Sequence, residues 1–175
     1  SNRIRYVTPA MGGFFAGAEV SGETAYKSWA GKVGYAAGPV NVQLGMQRDN
    51  DVAAPHEAID HLTLLGNYNL GFATLSAMYT RESNKRTAAA DNAKEWGLGA
   101  KIPLGANAQV SFAYARSKVD NAPLTAKGFG IEAQYKLSAR TKLFAGYRTN
   151  KDDAYAADGA IAKDSILGLG LQHRF

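Results

Sequence analysis

Apolar and polar residues alternate along most of this chain, and they do so in bursts. The period of two, the signature of a half-exposed strand, recurs in segments of about eight to ten residues: 2–8, 13–20, 27–37, 40–47, 61–70, 72–80, 95–104, 108–116, 128–137, 142–148 and 165–175. The pattern predicts eleven β-strands and no helix. Each segment suits a tilted strand crossing a bilayer, which takes about 9–11 residues.

The connections between these segments alternate between short and long. The short ones, "TPAMG", "AGP", "LGF", "LGAN" and "LSART", are built from the Gly, Pro, Asn and Ser that tight turns use. The long ones, "SGETAY", "RDNDVAAPHEAID", "RESNKRTAAADNAK", "SKVDNAPLTA" and "TNKDDAYAADGAIAK", are polar, charged and rich in alanine. Tight turns on one rim and long loops on the other describe an up-and-down meander, with the asymmetry of an outer-membrane barrel.

Alternation by itself also fits a soluble sandwich. The aromatic residues separate the two. On the apolar faces, Tyr6, Phe14, Tyr35, Tyr68, Tyr135 and Phe175 fall at the short-turn ends. Trp29, Tyr79, Trp96, Tyr114, Phe129 and Tyr147 fall at the long-loop ends. Two aromatic rings flanking a band of Val, Leu, Ala and Gly match two water–lipid interfaces. A sandwich core would gather its aromatics in the middle, and Ala and Gly are too small to fill one. The expected fold is therefore all-β, an antiparallel up-and-down transmembrane β-barrel. One residue departs from the pattern: Phe144 falls on the polar side of its strand, opposite in phase to Leu143, Ala145 and Tyr147. A bulge, or an aromatic pointing into the lumen, would account for it.

Composition sharpens this picture only a little. Hydrophobic residues make up 46% of the 175, an ordinary value. No run approaches the roughly 18–20 apolar residues of a membrane helix, and alternation hides a barrel from any hydropathy average. The absence of cysteine removes disulfides, thiolate catalysis and cysteine-based zinc sites. Residues 1–6 have no apolar signal region, so the chain is expected to begin as a mature protein or a piece of one. The formal charge of +5 admits nucleic acid, an anionic membrane surface or an anion-attracting cavity.

The position of the charges chooses among these. Alternation assigns Arg3, Arg5, Lys32, Lys101, Lys136, Lys142, Arg148 and Arg174 to the polar, lumen-facing side, against Glu19, Glu95 and Glu132. Neutral polar residues there include Asn41, Gln43, Gln47, Thr63, Asn67, Ser76, Gln109, Ser111, Gln134 and Gln172. A basic surplus in a confined channel attracts small anions; the plainer alternative is that these side chains only keep the lumen wet. Nucleic acid is disfavoured because aromatics and cations lie on opposite faces, leaving no shared stacking groove.

Candidates for chemistry are weak. His56, His61 and His173 are too scattered for a metal site. Nothing assembles Ser, His and a third polar group as an outer-membrane phospholipase would need. "KDD" at 151–153 with Asp158 lacks EF-hand spacing and reads as solvated loop charge. No glycine-rich turn between strand and helix offers a phosphate cradle. No catalytic residue, metal or cofactor is expected, and the chain reads as a non-enzyme.

Three stretches resemble a known family. "NRIRYVTPAMGGFFAGAEV" is similar to the mid-barrel strand–turn–strand of general porins from β-proteobacteria, whose usual form has Asn, a short gap, Ile-Arg-Tyr, Ser/Thr-Pro and Gly-Gly-Phe. "YKLSARTKLFAGYRTNKD" (135–152) resembles their penultimate hairpin, and "GLGLQHRF" their last strand. The resemblance implies a passive channel for small hydrophilic solutes in the bacterial outer membrane. It further implies a sixteen-stranded barrel, a homotrimer, and a surround of bilayer and lipopolysaccharide. By the same resemblance the last strand, ending on Phe175, is the signal read by the barrel assembly machinery, and Arg5 matches the arginine of the Ile-Arg-Tyr motif. The eleven strands would then be the last eleven of sixteen, a single domain over 1–175 lacking its N-terminal strands and constriction loop. Strand parity agrees, because 2–8 and 165–175 both run toward the short-turn rim and single-chain bacterial barrels use even strand numbers. The rivals are a self-closed barrel of ten strands with 2–8 displaced, one of twelve, a small plugged barrel acting as an anchor or binding protein, and a soluble lipocalin-like binder.

Overall fold

The computed structural model describes residues 2–22, 26–51, 58–84, 92–120, 125–152 and 163–175. They form eleven strands: β1 (Asn2–Val7), β2 (Phe14–Gly22), β3 (Tyr26–Ala37), β4 (Val40–Asp51), β5 (Ala58–Asn69), β6 (Thr74–Asn84), β7 (Asn92–Leu104), β8 (Ala108–Val119), β9 (Thr125–Lys136), β10 (Thr141–Asp152) and β11 (Lys163–His173). Each strand pairs antiparallel with the next in one sheet of order β1 to β11. Among the described residues no ladder joins β1 to β11, so the meander is an open partial barrel. β1 is paired with β2 along its whole length and is not displaced.

The tight turns explain the short rim. The described glycines with positive φ (Gly12, Gly13, Gly38, Gly71 and Gly105) all lie in these connections. Gly38 and Pro39 make a two-residue hairpin, and φ of 55° at Gly38 is what the first position of a II′ turn requires. The turn between β9 and β10 has no glycine. There the Ser138 hydroxyl accepts from the amides of Arg140 and Thr141, at 3.2 and 3.1 Å.

At the other rim the strands run three or four residues beyond the alternating segments, to Asp51 in β4, Asn84 in β6 and Asp152 in β10. Backbone pairing continues there although apolar residues have stopped, because the outward positions have left hydrocarbon for water and headgroups.

The sheet has two chemically distinct faces and almost no interior. Ala58 and Ala73, each 5% exposed, are the only buried hydrophobic residues described. Val33, Leu98 and Leu169 are 56%, 57% and 78% exposed. A water-soluble fold does not leave a contiguous face of this size uncovered. Hydrocarbon is the covering that suits it.

Candidate functional site: the polar face of the sheet

Strand register decides which side chains share a face, because directly opposed residues point the same way. Arg5 opposes Glu19, Glu19 opposes Ala30, and the row continues through Gln47, His61 and Glu82. Carried across all eleven strands, the registers put Arg3, Arg5, Glu19, Lys32, Gln43, Lys101, Glu132, Lys136, Lys142 and Arg148 on this one face. Arg174, one residue past β11, continues the same phase, its amide donating to the Arg140 carbonyl at 2.9 Å. Leu169 and Val42 lie on the opposite face.

The middle of the polar face near β1–β5 holds a concavity of about 330 Å³ lined by Arg5, Glu19, Lys32, Gln47, His61 and Thr63, among others. Arg3 Nε reaches Glu19 Oε1 at 3.1 Å, so the carboxylate opposite Arg5 is engaged diagonally by its neighbour. Arg5 has no ion-pair partner among the described residues. Lys32 lays its hydrocarbon stem on Gly17 and holds its ammonium 5.7 Å from the Phe15 ring centroid.

Charge on this face is divided along the strand direction. Toward the short turns stand Lys101, Lys136, Lys142 and Arg174. Lys136 and Lys142 are directly opposed, Lys142 Nζ donates to Gln134 Oε1 at 3.4 Å, and Gln134 in turn donates to Glu132. None of these four cations has a carboxylate within ion-pair distance among the described residues. Toward the long loops stand Asp49, Glu82, Glu95, Asp152 and Asp164, of which alternation had found only Glu95. His61 lies between Asp49 and Glu82, at 3.8 and 3.5 Å. Gln47 Nε2 donates to both Asp49 oxygens at 3.0 Å, and Arg148 reaches Asp164 at 3.9 Å. With these carboxylates included, acidic and basic residues on the face are close to balanced among the described residues. The surplus is therefore one of position more than of number. The missed acids stand where apolar alternation has ended, so only the continued backbone pairing reveals their phase.

The odd phase of Phe144 has a direct cause. Its ring lies over Gly170 on the next strand, so close that a β-carbon there would meet Cζ at 2.2 Å. Phe15 covers Gly34 with the same geometry, and Met78 covers Gly97. No bulge interrupts the β10–β11 or β9–β10 ladders; the aromatic lies flat on the polar face.

The opposite face carries Tyr6, Phe14, Trp29, Tyr35, Tyr68, Tyr79, Trp96, Tyr114, Phe129, Tyr135 and Tyr147 in a single phase. Phe14 and Tyr35 pack at 4.8 Å, and Trp96 and Tyr114 at 5.3 Å. Phe175, past the last strand, packs edge-on against His173 at 4.9 Å, whose Nδ1 hydrogen-bonds Thr141 Oγ1 at 2.9 Å. His56, Asp153 and Asp158 lie outside the described residues. Among the described residues no cluster of His, Asp and Glu has the arrangement of a metal site.

Comparison with known proteins agrees with this geometry. The family model described as Gram-negative porin matches residues 1–155. Outer membrane porin protein 32 of Delftia acidovorans is 30% identical over an alignment taking in 100% of this chain and 56% of that protein. Among solved structures, an anion-selective porin from Comamonas acidovorans superposes with a TM-score of 0.85 at 26% identity, over 99% of this chain and 59% of the other. A porin refined at 1.8 Å superposes at 0.80 with 19% identity, over 98% and 60%. The chain thus spans little more than half the length of these relatives. From the open meander of eleven strands, its two contrasting faces and the family match over 155 of its residues, the chain belongs to the Gram-negative porins of the bacterial outer membrane.

Proposed function

We propose that this chain forms part of the wall of a passive diffusion channel for small hydrophilic solutes, with the polar face toward a water-filled lumen and a preference for anions. The observation that carries the preference is the group of Lys101, Lys136, Lys142 and Arg174 near the short turns, cations with no carboxylate partner among the described residues. Arg5 adds a further unpaired cation in the middle of the wall. Carboxylates nearer the loops are in large part engaged, Glu19 by Arg3, Asp49 and Glu82 beside His61, and Asp164 by Arg148. Fixed unpaired cations in a confined channel raise the local concentration of anions. The description of the Comamonas relative as anion-selective supports the same direction.

In this reading the eleven predicted wall residues line the pore and the twelve aromatics form two interfacial girdles. The eleven strands belong to a larger barrel, since an open edge does not persist in lipid. The protein assembles as a homotrimer, and its C-terminal strand is read by the assembly machinery. Planar-bilayer recordings of the full-length native protein test the function. A reversal potential of anionic sign in a salt gradient is expected. Cation preference refutes the charge argument, and absence of conductance refutes the channel. The intact mass of the native protein tests the larger barrel: about twice 18.6 kDa is expected, and 18.6 kDa itself refutes it.

A further inference from the structure

Two phenylalanines, Phe15 and Phe144, lie on the polar face, where the registers oppose them to Gly34 and Gly170. In each pair a β-carbon added to the glycine would meet Cζ at 2.2 Å and both Cε atoms at 2.8 Å. Distances this even place the glycine beneath the ring and not at its edge. One π face is therefore turned to backbone and the other to the lumen, and both side chains are half-buried.

The two rings differ in what stands over the outer face. At Phe15 a cation of the protein already occupies it, with Lys32 Nζ 5.7 Å from the ring centroid. Among the described residues no cation lies over Phe144. Lys142 stands two residues away on the same strand face, about 6.8 Å by strand spacing, and is directly opposed by Lys136. Gln134, the residue opposite Phe144, accepts from Lys142 Nζ at 3.4 Å. This bond draws the ammonium along the strand toward the level of the ring. The same Gln134 side chain donates to Glu132, and neither lysine has a carboxylate within ion-pair distance among the described residues.

An open π face beside two unpaired ammoniums suits one kind of solute. An inorganic anion uses the lysines and leaves the ring wet. A neutral aromatic uses the ring and leaves the lysines uncompensated. A flat ring bearing a carboxylate uses both, since aromatic rings stack offset with centroids about 4.5–7 Å apart. We propose that Phe144, Lys142 and Lys136 form a binding site for aromatic carboxylates at the short-turn end of the wall, the solute ring stacking on Phe144 and its carboxylate meeting the two ammoniums. This names a class of solute for the channel proposed above and rests on that reading.

Chloride conductance of single channels of the full-length native protein tests it, with benzoate, acetate and benzamide added in turn to both sides of a planar bilayer. The concentration that halves the conductance should be roughly two- to tenfold lower for benzoate than for acetate, the scale of an aromatic pair. Benzamide should not block where benzoate does. Phe144→Leu should bring benzoate to within twofold of acetate, whereas Phe15→Leu should leave their ratio unchanged. Lys136→Gln/Lys142→Gln should raise the benzoate concentration roughly fivefold. Equal block by benzoate and acetate, block by benzamide at the same concentration, or the same loss in Phe15→Leu as in Phe144→Leu each overturns the proposal. Should Phe144→Leu fail to fold, the three probes on the unaltered protein still decide. Anion-selective conductance with no preference for benzoate overturns the site and leaves the channel standing; absence of conductance removes both.

Discussion

Replacing Gly170 by alanine should destabilise the barrel, and the same replacement should stabilise it once Phe144 has been removed. A β-carbon at position 170 would meet Phe144 Cζ at 2.2 Å and both Cε atoms at 2.8 Å. Carbon atoms settle about 3.5–4.0 Å apart, so the ring tip has to retreat by more than 1 Å and gives up its cover over the strand. Uncovering about 60 Å² costs roughly 1.5 kcal/mol, and an off-rotamer ring adds about 0.5–1.5 kcal/mol. Against this, alanine in a strand interior gains about 0.5–1 kcal/mol over glycine. The net expectation for Gly170→Ala is a loss of about 1–2.5 kcal/mol. In a Phe144→Ala background the collision is absent and only the alanine gain remains, about 0.5–1 kcal/mol in the opposite sense. Urea unfolding of the full-length protein from lipid vesicles, followed by tryptophan fluorescence, measures both. Equal effects in the two backgrounds, within the roughly 0.5 kcal/mol that non-interacting sites allow, would refute the account of Phe144. Gly34 and Phe15, with the same distances, provide an independent repeat.

Other outcomes follow from the ion pairs and turns. Glu19→Gln releases Arg3 from its 3.1 Å partner and should raise the anion-to-cation permeability ratio roughly twofold in a salt-gradient reversal measurement; an unchanged ratio would remove Arg3 from the pore argument. Asp60→Asn leaves Arg48 without its two-pronged partner on the lipid-facing side, and should lower the urea midpoint of unfolding, since an uncompensated arginine on the lipid face is disfavoured. Gly13→Ala puts a side chain at φ of 90° with Ala37 Cβ 2.8 Å away, and should lower stability by about 1–3 kcal/mol in the same assay. The Asp120 carboxyl is depressed chiefly by the hydrogen bond from Lys94, so it binds fewer protons folded than unfolded. Its contribution is whole above the ordinary value of 3.8 and fades as pH falls through its lower folded value. Asp120→Asn should therefore flatten the acid limb of the stability profile between about pH 5 and pH 2.

The alternating pattern was enough to count the strands, pair them and sort the faces, because a membrane wall one sheet thick makes nearly every strand residue face either oil or water. It failed where that contrast fades. Beyond the long-loop aromatics both sides of the sheet are wet, so Asp49, Glu82 and Asp164 look like loop residues although the ladder still fixes their direction. Lys127 and Lys163 look like loop charge for the same reason. Phe144 misled differently. Alternation reports polarity and not posture, and nothing local distinguishes an aromatic standing in a channel from one lying on a neighbouring strand's glycine. That glycine, Gly170, is 26 residues further along the chain and becomes its neighbour only through the hairpin register. The excess of basic residues on the polar face was overcounted because the compensating carboxylates stood just past the last apolar position.

The habit of laying bulky side chains over glycines has an outcome in cross-section. Phe15, Met78, Phe144 and the stem of Lys32 each lie along the sheet above a residue with no side chain of its own. Hills are thus set into valleys, and the surface they make is shallower than its residue names suggest. In the proposed channel, a solute moving past this face would meet a wall of low relief.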